Sequence, residues 1–205
     1  MTTRQKKKIV FVCTGNTCRS PMAQLLLRQR LKELKIKGFD VRSAGTAAKR
    51  GEVINPKSAQ VLFENGIECA EFSSTKLSEK LLLDGFAVVC MTERQREYLM
   101  DLRWNALKKA GRSMDGVENN VYSFAEITGY EILDPYGKDV DCYRYVFGLL
   151  AAGMPTLIEK LRLKENGWEE KPKAAKKSNP TRKTEGGTTK KSSPKRTSAK
   201  TAKTE

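Results

Sequence analysis

Cys13 to Ser20, in the order CTGNTCRS, bring together groups suited to phosphoryl chemistry. Cys13 offers a sulfur nucleophile. Arg19 offers a planar guanidinium fork that matches two phosphate oxygens. Gly15 permits a positive φ and close approach of backbone to a ligand. Asn16 tolerates the left-handed region and can brace the loop with its side chain. Successive N–H groups of Thr14, Gly15, Asn16, Thr17, Cys18 and Arg19 can form a nest around an anion. Ser20 can donate a hydrogen bond to the Cys13 sulfur. A free thiol titrates near about 8.5, and a helix N-terminus with a cation beside it can bring that to roughly 3.5–7.5. The alternative reading is a plain turn around a buried, inert cysteine.

For that chemistry the loop must sit between a strand and a helix. KIVFVC (8–13) is a β-branched and aromatic run that reads as a buried strand. SPMAQLLLRQRLKEL (20–34) reads as an amphipathic helix with Ser20 as N-cap and Pro21 at the first helical position. Downstream, FDVRSAG (39–45) predicts a second strand and NPKSAQVLFENG (55–66) a helix. STKLSEKLLLDG (74–85) predicts another helix and FAVVCM (86–91) a third strand. A helix over 92–107 with Thr92 as cap, a short fourth strand in 119–126 and a long helix over 139–163 complete the series. Gly148 and Pro155 are the places where that last helix would bend. Strands alternating with helices predict an α/β fold: an open four-stranded parallel sheet with helices on both faces, flavodoxin-like in plan. Ligands in such sheets bind outside the carboxyl ends of the strands, where CTGNTCRS falls.

The chain has 205 residues, 39 of them Lys or Arg and 24 Asp or Glu, for a net charge of +15. Residues 171–205 alone hold 12 Lys or Arg against two Glu, and no aromatic or large aliphatic residue. Such a segment cannot bury a core, so the expected division is a folded domain over 1–168 and a disordered Lys/Ser/Thr/Pro-rich tail over 169–205. The tail could bind nucleic acid or another polyanion in a salt-sensitive way, or act only as a solubilising extension. No run of about 18 apolar residues suggests a membrane span. The basic N-terminus lacks the apolar core of a signal peptide. Five cysteines without an export signal fit a reducing cytoplasm. The chain contains no histidine, which removes the commonest general base and metal ligand. No cofactor or metal is expected.

With strand, Gly, Asn, Arg, Ser and Pro in this order, CTGNTCRSP resembles the phosphate-binding loop of the low-molecular-weight protein tyrosine phosphatase family, which includes protein arginine phosphatases. The resemblance runs from residue 8 to about 165. DPYG (134–137) is similar to the family's general-acid segment, and RSAG (42–45) to the end of its second strand, where Ser43 would brace Asn16. The resemblance implies attack by Cys13 on phosphorus and protonation of the leaving group by Asp134. Hydrolysis of a phosphocysteine intermediate follows, with Asp134 then acting as base. Arg19 and the loop amides would hold the equatorial oxygens. Pro135 would restrain Asp134, although Asp-Pro pairs are also common in plain turns. Tyr136 would form a wall for a flat substrate group, or serve only in surface packing.

Thr17 bears on the substrate. The family's tyrosine phosphatases typically carry a bulky aliphatic there, and its arginine phosphatases a threonine within the same CTGNTCRSPMA. A hydroxyl at the rim suits a guanidinium better than a phenyl ring. The preferred reading is therefore a protein phosphatase acting on phosphoarginine, with phosphotyrosine as the alternative. A different-class alternative is a nucleic-acid-associated protein that retains the fold without the activity. Arsenate reduction, known in this fold group, requires a relay of cysteines that Cys69, Cys90 and Cys142 do not supply. Cys18 lies in the same loop as Cys13, near enough for a reversible disulfide, or is a small buried thiol under the helix. Near residue 71 the family usually has a histidine supporting the loop asparagine. This chain offers Glu71 or Phe72, so the bracing of Asn16 should differ or be weaker.

Overall fold

A computed structural model describes residues 5–112 and 119–167. The tail expected over 169–205 lies outside the described residues. The order is β1 (Lys7–Cys13), α1 (Arg19–Glu33), β2 (Phe39–Gly45), α2 (Pro56–Glu64), α3 (Glu79–Asp84), β3 (Ala87–Cys90), α4 (Glu93–Lys109), β4 (Val121–Ser123), α5 (Phe124–Thr128), α6 (Val140–Lys160) and α7 (Leu163–Asn166). The four strands form one parallel sheet in the order β2-β1-β3-β4. This is the expected open sheet with helices on both faces.

β1 is central, and its alternation feeds two cores. Ile9, Phe11 and Cys13 face one layer with residues of α1, α2, α5, α6 and α7. Val10 and Val12 face the other with Leu82 of α3 and Leu99 of α4. A strand covered on both faces needs an unbroken apolar run, which IVFVC supplies. The period of two also decides the site. Cys13 has the phase of Phe11, so its sulfur lies on the face where α1 begins.

Three boundaries differ from the sequence reading. The helix expected over 74–85 is only Glu79–Asp84, capped by Ser78, whose side chain accepts from Leu81 N–H. The preceding residues are extended because they pair with the end of β2. Gly45 N–H donates to Thr75 O, and Leu77 N–H to Gly45 O. The fourth strand stops at Ser123, whose side chain caps the short helix α5. Helix α6 (Val140–Lys160) stops short of the expected end at 163, contains both Gly148 and Pro155, and has Asp139 as its N-cap. A side chain at Gly153, not at Gly148, would collide: its Cβ would lie 2.5 Å from the Phe124 ring.

Candidate active site

The carboxyl end of β1 delivers Cys13, and the first turn of α1 delivers Arg19 and Ser20. The intervening loop folds back over β2. Cys13 O accepts from Thr46 N–H at 3.0 Å, and Thr14 O from Ala47 N–H at 2.9 Å. Gly45 makes this possible. A Cβ there would stand 2.5 Å from Thr14 O and 2.9 Å from Asn16 N, inside the loop backbone. Asn16, at φ 56°, takes the left-handed conformation that the sequence reading allowed it, whereas Gly15 does not use the positive φ open to it. An added Cβ at Gly15 would meet only Thr17 Oγ1, at 3.5 Å. Nothing among the described residues therefore requires glycine at position 15.

The N-cap of α1 is Cys18, without a side-chain bond, and not Ser20. The Ser20 hydroxyl turns inward instead, 3.0 Å from Cys13 Sγ. Asn16 N–H points at the same sulfur from 3.3 Å. Cys13 is 3% exposed, so these donors act on it in a dry setting. The N–H groups of Gly15, Thr17, Cys18 and Arg19 donate to no group among the described residues. Orphan donors at the positive end of a 15-residue helix are suited to an anion.

Asn16 is fully buried and every polar position of its amide is used. Its Nδ2 donates to Ser20 Oγ at 2.9 Å and to Ser43 Oγ at 2.8 Å. Its Oδ1 accepts from Thr75 N–H at 2.7 Å. The bracing expected to be weaker without a histidine is thus provided by a backbone amide. Glu71 is exposed and Phe72 packs against the core, and neither is among the hydrogen-bond partners of the Asn16 side chain. Ser43 passes its own proton on to Gln24 Oε1 at 2.5 Å. Thr75 and Gln24 were not found in the sequence. A backbone N–H carries no residue signature, whereas Gln24 could have been found as the residue one helical turn after Ser20.

Asp134 arrives on the segment after α5, whose Ile132 lies in the same core layer as Cys13. Ile132 N–H donates to Met91 O at 2.9 Å, which fixes the segment to the end of β3. Asp134 Oδ2 then lies 2.5 Å from Arg19 Nη2, and Oδ1 accepts from Tyr136 N–H at 3.3 Å. Arg19 Nη1 donates to Ile132 O at 3.2 Å, while buried Arg19 Nε has no partner. The guanidinium is 5% exposed and the carboxyl 48%, so the cation forms the floor and the acid faces outward. Tyr136 is 72% exposed, beside Asp134 on the rim.

The remaining loop residues stand as follows. Thr14 is exposed, and its hydroxyl accepts from Gln95 Nε2 at 3.3 Å, a contact the sequence did not suggest. Half-buried Thr17 accepts from Asn55 N–H at its carbonyl, 2.9 Å away. Its hydroxyl lies 3.7 Å from Cys18 Sγ, and Tyr143 Oη lies at the same distance from that sulfur. Burial is the main cause that pushes the Cys18 thiol up. Burial, followed by the Cys18 contact, does the same for the Tyr143 phenol. All five cysteines are free thiols, so Cys13 and Cys18 are unlinked. Cys90 is buried in the core, and Cys69 and Cys142 are partly exposed.

Residues 8–167 match the model of the low molecular weight phosphotyrosine protein phosphatase family. A protein-arginine-phosphatase of Bacillus subtilis is 34% identical over 157 residues, which are 75% of this chain and 96% of that protein. A probable low molecular weight protein-tyrosine-phosphatase, EpsP, of Ralstonia nicotianae is 29% identical over 156 residues, covering 76% and 97%. Among solved structures, the YwlE arginine phosphatase from Geobacillus stearothermophilus superposes with a TM-score of 0.65 at 29% identity, covering 78% of this chain and 96% of that one.

Proposed function

The chain belongs to the low molecular weight phosphotyrosine protein phosphatase family, and on that premise we propose that it removes phosphate from phosphoarginine on proteins through a phosphocysteine intermediate. The observation that carries the reaction class is the meeting of three groups: the Cys13 sulfur beneath orphan loop amides, Arg19 with a free Nε, and Asp134 on the neighbouring Nη2. An arriving phosphoryl group takes the Nε–Nη2 edge of Arg19 in bidentate fashion. Asp134 is thereby released from Arg19 towards the leaving atom. Cys13 attacks phosphorus as the P–N bond breaks, and Asp134 supplies the proton to the leaving guanidine nitrogen. Water then attacks the phosphocysteine, giving up its proton to Asp134, and phosphate departs. Ser20 and Asn16 N–H hold the sulfur as it leaves with its electron pair.

Thr17 carries the choice of substrate. Its half-buried hydroxyl is an acceptor that a guanidinium can use and a phenyl ring cannot, and the reading is supported by the relative from Bacillus subtilis, a protein-arginine-phosphatase. Tyr136 flanks the entrance as an aromatic wall suited to a planar cation. The test is turnover of a phosphoarginine peptide against a phosphotyrosine peptide of the same sequence. The expected result is a higher kcat/KM for phosphoarginine, with Thr17→Ile moving the ratio towards phosphotyrosine. A ratio unmoved by Thr17→Ile removes it as the selector, and turnover by Cys13→Ser equal to wild type removes the enzyme. Cys18 serves in this reading as the thiol that traps oxidised Cys13 as a reversible disulfide. We infer residence in the cytoplasm, a reading supported by five free thiols, which a reducing compartment preserves. Among the described residues no helix is long and apolar enough to cross a membrane.

A further inference from the structure

The hydrogen bonds around Cys13 do not end within the loop. Ser20 links Cys13 to Asn16, Asn16 donates to Ser43, and Ser43 donates to Gln24. Gln24 is 7% exposed, yet its Nε2 makes no hydrogen bond to the described chain, and Gln24 lines a cavity of about 620 Å³ together with Ser43 and Thr75, which brace Asn16. Two donors stand on one wall, because Gln24 and Arg28 are four residues apart on α1 and so share a face. Arg28 spends Nε on Val41 O and makes no ion pair among the described residues. Asp40 and Arg42, on β2, neutralise each other at 2.7 Å. The lining also takes in the segment after α2, with Glu68 and Glu71, neither of which has an ion-pair partner among the described residues. Leu25, Phe72 and Leu81 contribute apolar surface to the lining.

We propose that this cavity binds a small zwitterion, with its carboxylate on Gln24 Nε2 and Arg28, its ammonium or guanidinium group towards Glu68 and Glu71, and its apolar stem between. Binding gives the Gln24 amide the acceptor it lacks. A filled chain of hydrogen bonds is polarised along its length, so occupancy reaches Asn16 and the sulfur it braces. The site thereby tunes turnover without touching the substrate. This coupling rests on the phosphatase reading; the binding does not.

Cys69 lines the same cavity and reports on it. The probe is 6-aminohexanoate, which carries both charges on an apolar stem. Iodoacetamide labelling of Cys69 in the full chain is followed by peptide mass spectrometry at alkaline pH, since burial pushes that thiol up. At ten times its Kd the probe is expected to slow Cys69 labelling about tenfold, the factor 1 + [L]/Kd. Hexanoate and hexylamine, at matched ionic strength, are expected to protect far less. Arg28→Leu and Glu71→Gln, both at exposed positions, should each lift the protection. Absence of protection, or protection undiminished in both variants, overturns the site. Protection with an unchanged kcat on saturating p-nitrophenyl phosphate overturns the coupling. Wild type without turnover in the absence of probe sinks the phosphatase reading and leaves the Cys69 result standing.

Discussion

Asp134 divides its carboxyl between Arg19 and its own chain at Tyr136, and this division is what makes a half-exposed acid dependable. The backbone contact fixes its orientation, while the Arg19 contact is one that a phosphoryl group can take over. Asp134→Asn keeps the side-chain size and one acceptor oxygen, and loses both the proton and the second acceptor. Its kcat on a phosphoarginine peptide is expected to fall about 10²–10⁴-fold, the usual span of general-acid catalysis. On p-nitrophenyl phosphate, whose leaving group departs without help, the loss should be much smaller. Equal losses on both substrates would remove the acid role. Cys90 supplies the contrast: burial pushes its thiol up to about 12, so a fully buried cysteine can sit at a strand end and do no chemistry. Cys13 is as deeply placed, but donors meet its sulfur.

At the scale of elements, the loop is shaped by what presses on it from β2. Gly45→Ala would drive a methyl group into Thr14 O and Asn16 N. The expected outcome is a folded protein with kcat reduced about 10²-fold, the effect of displacing a catalytic group by about 1 Å. A wild-type kcat for Gly45→Ala on p-nitrophenyl phosphate would show that the loop tolerates the shift. Helices α2 and α6 are held by a fork from Arg144 to Glu64, at 2.8 and 2.7 Å. Hydrogen bonds from Arg144 first, and Gln60 second, bring the Glu64 carboxyl from 4.5 to about 2. The folded state therefore favours the ionised form. The stabilisation is complete above 4.5 and is lost as pH falls through about 2. Glu64→Gln should lower Tm by a gap that is full near neutrality and narrows on acidification through that window. A gap independent of pH would assign the effect to packing. The pair is exposed to solvent, so salt should shrink the gap.

For the whole molecule, charge is concentrated at one end: residues 171–205 hold 12 of the 39 basic side chains and only two of the 24 acidic ones. Removing residues 169–205 is expected to leave turnover of p-nitrophenyl phosphate unchanged and to abolish salt-sensitive retention on immobilised double-stranded DNA. Retention that survives truncation would place polyanion binding on the folded domain. The reaction class was legible in the linear sequence because its determinants are local. A strand, a tight loop and a helix start within 14 consecutive residues specify a sulfur, a guanidinium and a ring of amides, whatever the rest of the chain does. The four parallel strands were legible for a similar reason, since periodicity and turn residues act over a few positions. Element boundaries such as Glu79 were not, because the backbone of Thr75 and Leu77 answers to Gly45, some 30 residues away. The sequence by itself thus determined the reaction class, the candidate loop and the four parallel strands, but not their order in the sheet. Only the tertiary structure decided that Asn16 is braced by Thr75, that Arg19 holds Asp134 across 115 positions, and that a cavity stands behind Gln24. Those contacts are made by chain segments that meet only when the two cores close on either face of β1, and no local propensity encodes such a meeting.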